Sequence, residues 1–250
     1  MRRIAVINQK GGVGKTTTTI NIAAGLARKG KKVLILDLDP QANVSSCFLA
    51  HNDRSMYHFL IDEEPLQNCK VNLAEFLDMI PADQSLAKAE LALAGVPSRE
   101  TVLRRRMAEV TGYDYIIVDC PPSLGLLNQN ALMFAREAFI PVATEYLSLD
   151  ALRKMSATID EINQLFQHKL KITAIIPTMY DRRIKSSIAT LDEIKKGYDG
   201  VVMPPISTSS KLKEAPSKGM TIYDFARSSK GAKDYLAVVD KVIEAEFYYG

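Results

Sequence analysis

The stretch Lys10-Gly11-Gly12-Val13-Gly14-Lys15-Thr16 follows a short apolar run, Ile4 to Ile7, and precedes a segment with helical spacing, Thr17 to Arg28. A glycine-rich turn between a strand and a helix directs several backbone N–H groups, and the positive end of the helix dipole, into one small space. This arrangement predicts a phosphate-binding loop. In such a loop Lys15 reaches the β- and γ-phosphates of a nucleotide, and the Thr16 hydroxyl binds Mg²⁺.

A second lysine, Lys10, distinguishes this loop from the pattern G-x-x-x-x-G-K-[ST], which has a glycine at the position of Gln9. Two cations are costly to hold side by side unless an anion lies between them. We therefore expect Lys10 to contact phosphate as well, in its own subunit or in a neighbouring one. The alternative is a chance glycine-rich turn with surface lysines, which the order of strand, turn and helix disfavours.

Acidic residues end two further apolar runs, Val33 to Leu36 and Tyr115 to Val118. Asp119 follows the second run directly, which predicts a carboxylate that holds a metal-bound water. Asp37 and Asp39 follow the first run two residues apart, so both face the same side if the strand continues. The alternative for each is a turn or helix cap, and it is more plausible for Asp37 than for Asp39.

Strand-like apolar runs alternate with helical segments along the chain. This alternation predicts one α/β domain over residues 1–250, with a mostly parallel, twisted sheet and helices on both faces. The ligand site then lies at the carboxyl ends of the strands. We expect strands at 3–8, 33–37, 76–80, 115–119, 138–142, 172–177 and 200–203, and helices at 15–29, 84–94, 99–110, 124–135, 148–167, 185–196 and 231–247.

Composition narrows the class of protein. Hydrophobic residues make up 47% of the 250 residues, which is enough for a buried sheet. No apolar run reaches membrane-spanning length, and the N-terminus lacks a secretory segment, so we expect a cytoplasmic protein. The three cysteines show no paired spacing, which argues against disulfides and zinc. The net charge of +3 is too small to indicate nucleic-acid binding, so any DNA contact needs a local patch.

The glycine-rich loop and three other segments resemble the ParA/MinD group of ATPases, whose deviant Walker A motif reads K-G-G-V-G-K-T. Segment 33–43 is similar to the D-x-D-P-Q motif of that group, and segment 115–123 to its Walker B motif, h-h-h-h-D-x-P-P. Segment 214–219 resembles a C-terminal segment of ParA proteins. The resemblance covers nearly the whole chain. It implies a single-domain P-loop NTPase, without the N-terminal helix-turn-helix domain that some ParA proteins carry.

The resemblance also implies a mechanism. Two subunits of this group sandwich two ATP molecules face to face, and the signature lysine, here Lys10, reaches the nucleotide of the partner. Asp39 orients or activates the attacking water, and Asp37 supports the outer shell of the metal. The residues expected to serve catalysis are Lys10, Lys15 and Asp39, and those expected at Mg²⁺ are Thr16, Asp37 and Asp119. The residues expected to bind ATP are Lys10, Gly11, Gly12, Val13, Gly14, Lys15, Thr16, Thr17, Asp119, Met179 and Pro205.

The adenine site is predicted after the strand at 172–177. Segment 178–181 matches ParA proteins there, and the soft side chain of Met179 is suited to contact with the base. ParA proteins often read P-R-N-V-R-L-S before E-A-P-S, whereas segment 207–213 of this chain reads S-T-S-S-K-L-K. The usual proline and first arginine are therefore missing, and we assign Pro205, just upstream, to the adenine site.

Family resemblance further implies non-specific binding of double-stranded DNA by Arg183, Lys185 and Lys211, although ordinary solvated side chains are the alternative. It implies a nucleoid-associated homodimer, formed with ATP, that moves chromosomes or plasmids with a ParB-like partner. One alternative is a ParA-like ATPase that positions a protein cargo. Another is a MinD-like membrane ATPase, which should end in a basic amphipathic helix. Segment 242–249 is acidic, so no membrane partner is expected.

Overall fold

A seven-stranded sheet organises the molecule, of which the computed structural model describes residues 1–145 and 148–249. The strand order is β3-β4-β2-β5-β1-β6-β7. The edge strand β3 runs antiparallel to β4, and all other neighbours are parallel. The strands are β1 (Arg2–Val6), β2 (Val33–Asp37), β3 (Val71–Ala74), β4 (Leu77–Ile80), β5 (Tyr115–Asp119), β6 (Glu137–Ala143) and β7 (Lys171–Thr178).

Helices connect the strands and cover both faces of the sheet. The α-helices are α1 (Lys15–Arg28), α2 (Asn43–Phe48), α3 (Met56–Leu60), α4 (Leu66–Cys69), α5 (Ala89–Ala94), α6 (Val102–Arg106), α7 (Leu126–Phe134), α8 (Ser148–Phe166), α9 (Lys185–Gly197), α10 (Ser210–Glu214), α11 (Ile222–Phe225), α12 (Lys230–Glu244) and α13 (Glu246–Tyr249). Short 3-10 turns occupy Gln84–Lys88, Arg99–Thr101 and Ala215–Lys218.

Two hydrophobic clusters lie on opposite faces of the sheet. Ala5 of β1 packs in the cluster that includes α7 and α8, and its neighbours Ile4 and Val6 pack in the cluster that includes α1 and α12. Side chains of a strand alternate between faces, so a sheet covered on both sides needs continuous apolar strands. The fully buried strands β2 and β5 meet this requirement. The predicted α/β fold is therefore confirmed.

Some predicted elements are wrong in detail. No strand forms at 200–203: Val202 makes only an isolated bridge to Ile175, and two prolines, which lack an N–H to donate to a ladder, follow at 204–205. The edge strand β3 was not expected, because it is short and only half-buried. The helix predicted at 84–94 starts as a 3-10 turn, since the Asp83 side chain accepts a hydrogen bond from Ser85 N at 2.8 Å.

The predicted helices at 99–110 and 231–247 are also broken. The first consists of the turn Arg99–Thr101 and the short helix α6, and the second ends at Glu244 before α13 begins. These breaks leave the sheet unchanged. All of the carboxyl ends of β1, β2 and β5 still meet at one edge, because the register pairs Val6 with Asp119 and Asp37 with Asp119. That edge carries the candidate site.

Candidate nucleotide-binding site

The loop between β1 and α1 has the backbone geometry of an anion cradle. Gly12 and Gly14 adopt left-handed φ angles of 73° and 91°, which favour glycine because other residues are strained there. Helix α1 begins at Lys15 without a side-chain cap on its first turn, so its N-terminal N–H groups are left for a ligand. The hydroxyl of Thr178 donates to Val13 O at 2.8 Å and ties the loop to the end of β7.

Lys15 lies inside this cradle. Its side chain is buried, and its ammonium donates to Lys10 O at 3.3 Å. Burial lowers the pKa of Lys15, and the negative charges of Asp119 and Asp39 act in the opposite direction. Because burial disfavours the charged form of Lys15, a bound phosphate, which is negatively charged, would stabilise that form.

Asp119 connects the loop to the end of β5. Its carboxylate accepts hydrogen bonds from Thr16 Oγ1 at 2.9 Å and Thr19 Oγ1 at 2.8 Å. Burial raises the pKa of Asp119, and the two threonine hydroxyls oppose that rise. The structure thus brings together Thr16 and Asp119, two of the three residues predicted at Mg²⁺. A hydroxyl and a carboxylate are hard oxygen donors of the kind that Mg²⁺ takes, so this pair fits the metal.

Asp37 lies beside Asp119 but is occupied by its own surroundings. It accepts hydrogen bonds from Asp39 N at 3.2 Å, Ser45 N at 3.1 Å and Ser45 Oγ at 2.9 Å. Burial and the neighbouring charge of Asp119 raise the pKa of Asp37. Both carboxylate oxygens therefore hold the loop between β2 and α2, and Asp37 supports the site from behind. Sequence reasoning did not find Ser45, which carries no motif of its own.

Asp39 occupies the loop that Asp37 holds. It is 6% exposed, and its Oδ1 accepts a hydrogen bond from Gln41 N at 2.9 Å. The negative charge of Asp39 also raises the pKa of Asp119 and of Lys15. Asp119 thus contacts the phosphate loop through Thr16, and Asp37, its partner in the sheet register, holds the loop that carries Asp39.

Lys10 takes a different direction from Lys15. Its ammonium forms an ion pair with Glu145 Oε2 at 3.0 Å, with the side chains 37% and 59% exposed, respectively. Its backbone N donates to Asn8 Oδ1 at 3.0 Å. Within this subunit the signature lysine thus pairs with a carboxylate that follows β6. Sequence reasoning did not find Glu145, because no motif marks it.

A cavity of about 790 Å³ adjoins the phosphate loop. Gly14 and Thr17 line one side, and Met179 lines another with a left-handed φ of 55°. Pro205 does not line this cavity, whereas residues 206–209 do. Hydrogen bonds from Tyr180 N to Ile206 O and from Thr208 N to Tyr180 O, both 3.0 Å, fix this wall. The volume is in the range of small-molecule sites.

The predicted DNA-contacting residues lie near the mouth of the same cavity. Arg183 is 84% exposed at its side chain and pairs with Asp181 at 2.7 Å, which lowers the pKa of Asp181. Lys185 is exposed at the start of α9. Lys211 of α10 pairs with Glu214 at 3.0 Å. Two of the three cations are thus paired with carboxylates within the subunit.

Across 1–145 and 148–249, no three His, Cys, Asp or Glu side chains gather as a metal-binding group. Over the same ranges, no helix combines the length and the apolar character needed to cross a bilayer.

A parallel sheet with a glycine-rich loop between its first strand and helix is the architecture of P-loop nucleotide-binding proteins. The family described as AAA domain matches residues 1–172. The chain is 41% identical over 245 residues to the sporulation initiation inhibitor protein Soj of Bacillus subtilis, covering 96% of this chain and 97% of that protein. It is 38% identical over 246 residues to the chromosome partitioning protein ParA of Myxococcus xanthus, covering 95% and 86%.

A solved structure shares the fold of this chain. The protein described as cobyrinic acid a,c-diamide synthase from Mycobacterium smegmatis, solved with bound ADP and magnesium, superposes with a TM-score of 0.85 at 32% identity. The match covers 99% of this chain and 96% of that one. The chain belongs to the ParA/Soj family of deviant Walker A ATPases, which confirms the resemblance found in its motifs.

Proposed function

We propose that this protein is a partition ATPase that dimerises with ATP, binds nucleoid DNA without sequence preference and releases it after hydrolysis. The observation that carries the ATPase part is the contact of Thr16 with Asp119 beside the buried ammonium of Lys15. This arrangement joins a phosphate cation and two metal-compatible oxygens at one helix N-terminus. ATP and Mg²⁺ are the cofactors. The ADP and magnesium bound in the M. smegmatis structure support this assignment.

Each part of the site has a separate task. The amides of residues 12–16 and the ammonium of Lys15 hold the phosphates, and Thr16 and Asp119 hold the metal. When bound, Mg²⁺ neutralises charge on the phosphates. Asp39 orients the attacking water at its carboxylate, and the fully occupied carboxylate of Asp37 keeps the Asp39 loop in place.

Lys10 pairs with a different anion in the free subunit and in the proposed dimer. In one subunit its ammonium pairs with Glu145, and both side chains are partly solvated. In the dimer it transfers to the phosphates of the partner's nucleotide, which carry more charge than one carboxylate. Hydrolysis removes the terminal phosphate and weakens that attraction, so the nucleotide controls assembly.

The DNA-binding part of the proposal rests on Arg183, Lys185 and Lys211, which flank the nucleotide cavity. A dimer joins two such patches on one duplex and gains avidity that a subunit lacks. DNA binding keeps the protein on the nucleoid in the cytoplasm. A ParB-like partner then stimulates hydrolysis and releases the ATPase from the DNA. The intramolecular pairs of Arg183 and Lys211 favour a second candidate, a ParA-like ATPase with a protein cargo, because paired cations attract phosphate less.

A gel-shift titration on unrelated duplexes, with ATP and with ADP, separates these candidates. The proposal predicts much tighter binding with ATP than with ADP and a steep fall with salt. A measured ATPase activity without any DNA binding would reject nucleoid DNA as the track and favour the protein cargo. If the purified wild-type protein hydrolyses no ATP, either with or without DNA, the proposed ATPase activity is rejected.

A further inference from the structure

Arginines gather at the end of the sheet opposite to the nucleotide site. Arg3 lies near the start of β1, and Arg136 directly precedes β6, with Arg136 N donating to Arg3 O at 2.9 Å. Burial lowers the pKa of Arg3, and the like charges of Arg136 and of Arg104 in α6 act in the same direction. We refer to Arg3, Arg104 and Arg136 as the arginine cluster.

The cluster lacks a carboxylate partner within the described part of the chain. None of its three guanidiniums lies within 4.0 Å of an Asp or Glu oxygen there, although twelve other Lys or Arg side chains pair with a carboxylate. The guanidinium of Arg3 instead packs over the ring of Phe134 at 5.5 Å, which fixes its position. Like charges held close together without a counter-charge repel each other, so an external anion stabilises them.

The row continues along the same edge of the sheet. Lys171 N donates to Arg136 O at 3.0 Å. The exposed Lys171, at the start of β7, therefore lies beside Arg136, which precedes the neighbouring strand β6. Neighbouring strands lie about 4.8 Å apart, so the cations from β1 to β7 extend over roughly 10 Å. Phosphates recur about every 3.4 Å along the axis on one strand of duplex DNA. An extended row of cations therefore fits several phosphates of one backbone better than it fits a single phosphate.

We propose that the arginine cluster, with Lys171, is a second surface for the phosphodiester backbone of duplex DNA, separate from the surface beside the nucleotide cavity. The length of the strands separates the two, because Arg3 and Arg136 lie at the amino ends of β1 and β6, whereas the phosphate loop follows the carboxyl end of β1. The second surface is complete in one subunit and involves no residue that contacts nucleotide. It therefore binds DNA weakly in every nucleotide state and keeps the protein near DNA between cycles.

The test uses the full-length protein in excess ADP, which leaves the proposed ATP-dependent surface unformed. Fluorescence anisotropy with a labelled 30-base-pair duplex measures binding over a series of salt concentrations. The variant Arg104→Gln/Arg136→Gln removes two exposed cations and leaves Arg3 on Phe134. The control Lys195→Gln/Lys196→Gln removes the same charge from exposed positions at the end of α9.

The wild type and the control should show the same salt slope, and the cluster variant a slope shallower by about 1 for each lost contact. ATP turnover of all three proteins should agree, which shows that the variants fold. Equal weakening in both variants would overturn the proposal in favour of net charge alone, and so would absence of duplex binding by the wild type in ADP at low salt. Neither result bears on ATP-dependent binding, so the proposed function is tested separately.

Discussion

Replacing Glu145 by Gln tests whether the pairing of Lys10 in the free subunit opposes dimerisation. The ion pair measures 3.0 Å, and its side chains are 37% and 59% exposed. Exposed pairs of this kind contribute about 0.2–1 kcal/mol. Two such pairs must break when a dimer forms, so their removal should stabilise the dimer by about 0.4–2 kcal/mol, or about 2- to 30-fold in dissociation constant. Sedimentation velocity with a slowly hydrolysed ATP analogue measures this constant.

A matched control is available on the following helix. Asp150→Asn removes the same charge from the exposed ion pair of Asp150 with Arg153, at 3.4 Å, and should leave the dimer unchanged. Because Glu145 also lines the cavity beside the phosphate loop, affinity for the analogue is measured in parallel. A weaker dimer in Glu145→Gln, at unchanged nucleotide affinity, would refute the view that Glu145 holds Lys10 back.

Three further outcomes are expected. Asp39→Ala should bind ATP normally but turn it over much more slowly and accumulate dimers in light scattering, whereas Lys10→Ala should bind ATP and remain monomeric. Arg183→Glu and Lys211→Glu should each weaken ATP-dependent DNA binding in gel shifts without a change in ATP affinity; no loss in either variant would contradict the assignment. Burial and the charge of Asp119 raise the pKa of Asp37. Without nucleotide, the contribution of this proton to the free energy of unfolding is therefore full below about pH 4, the pKa of an unfolded aspartate, and is lost as pH rises through the raised pKa. Chemical unfolding at pH 5–8.5 should show the wild type losing stability relative to Asp37→Asn, which cannot ionise.

The fold could be predicted because each strand that builds the site has an uninterrupted apolar run. The runs before Asp37 and Asp119 have no polar residue to interrupt them, and their ends meet at one edge of any parallel sheet. The edge strand β3 and the irregular segment 200–207 could not be predicted in the same way. Their residues are half-buried, and pairing with one neighbour, rather than a periodic pattern, decides their shape.

The candidate site was predicted only where chemistry follows from local sequence. Lys15 and Thr16 lie in one turn, so their roles can be inferred from the loop itself. Glu145 and Ser45 act through contacts with Lys10 and Asp37 that depend on how distant loops pack. The wall of the cavity beside the phosphate loop depends on packing in the same way, since backbone pairing brings residues 206–209 to it. The assignment of Pro205 to the adenine site stays a prediction.

The most direct test of the account is titration calorimetry of ATP with Mg²⁺ on Lys15→Ala. A charged hydrogen-bond partner contributes about 1.5–3 kcal/mol, so the variant should bind about 10- to 150-fold more weakly than the wild type. Lys29→Ala, which removes the same charge just beyond the other end of α1, should bind as the wild type does. Equal affinity of Lys15→Ala and the wild type would contradict the assignment of the phosphate loop.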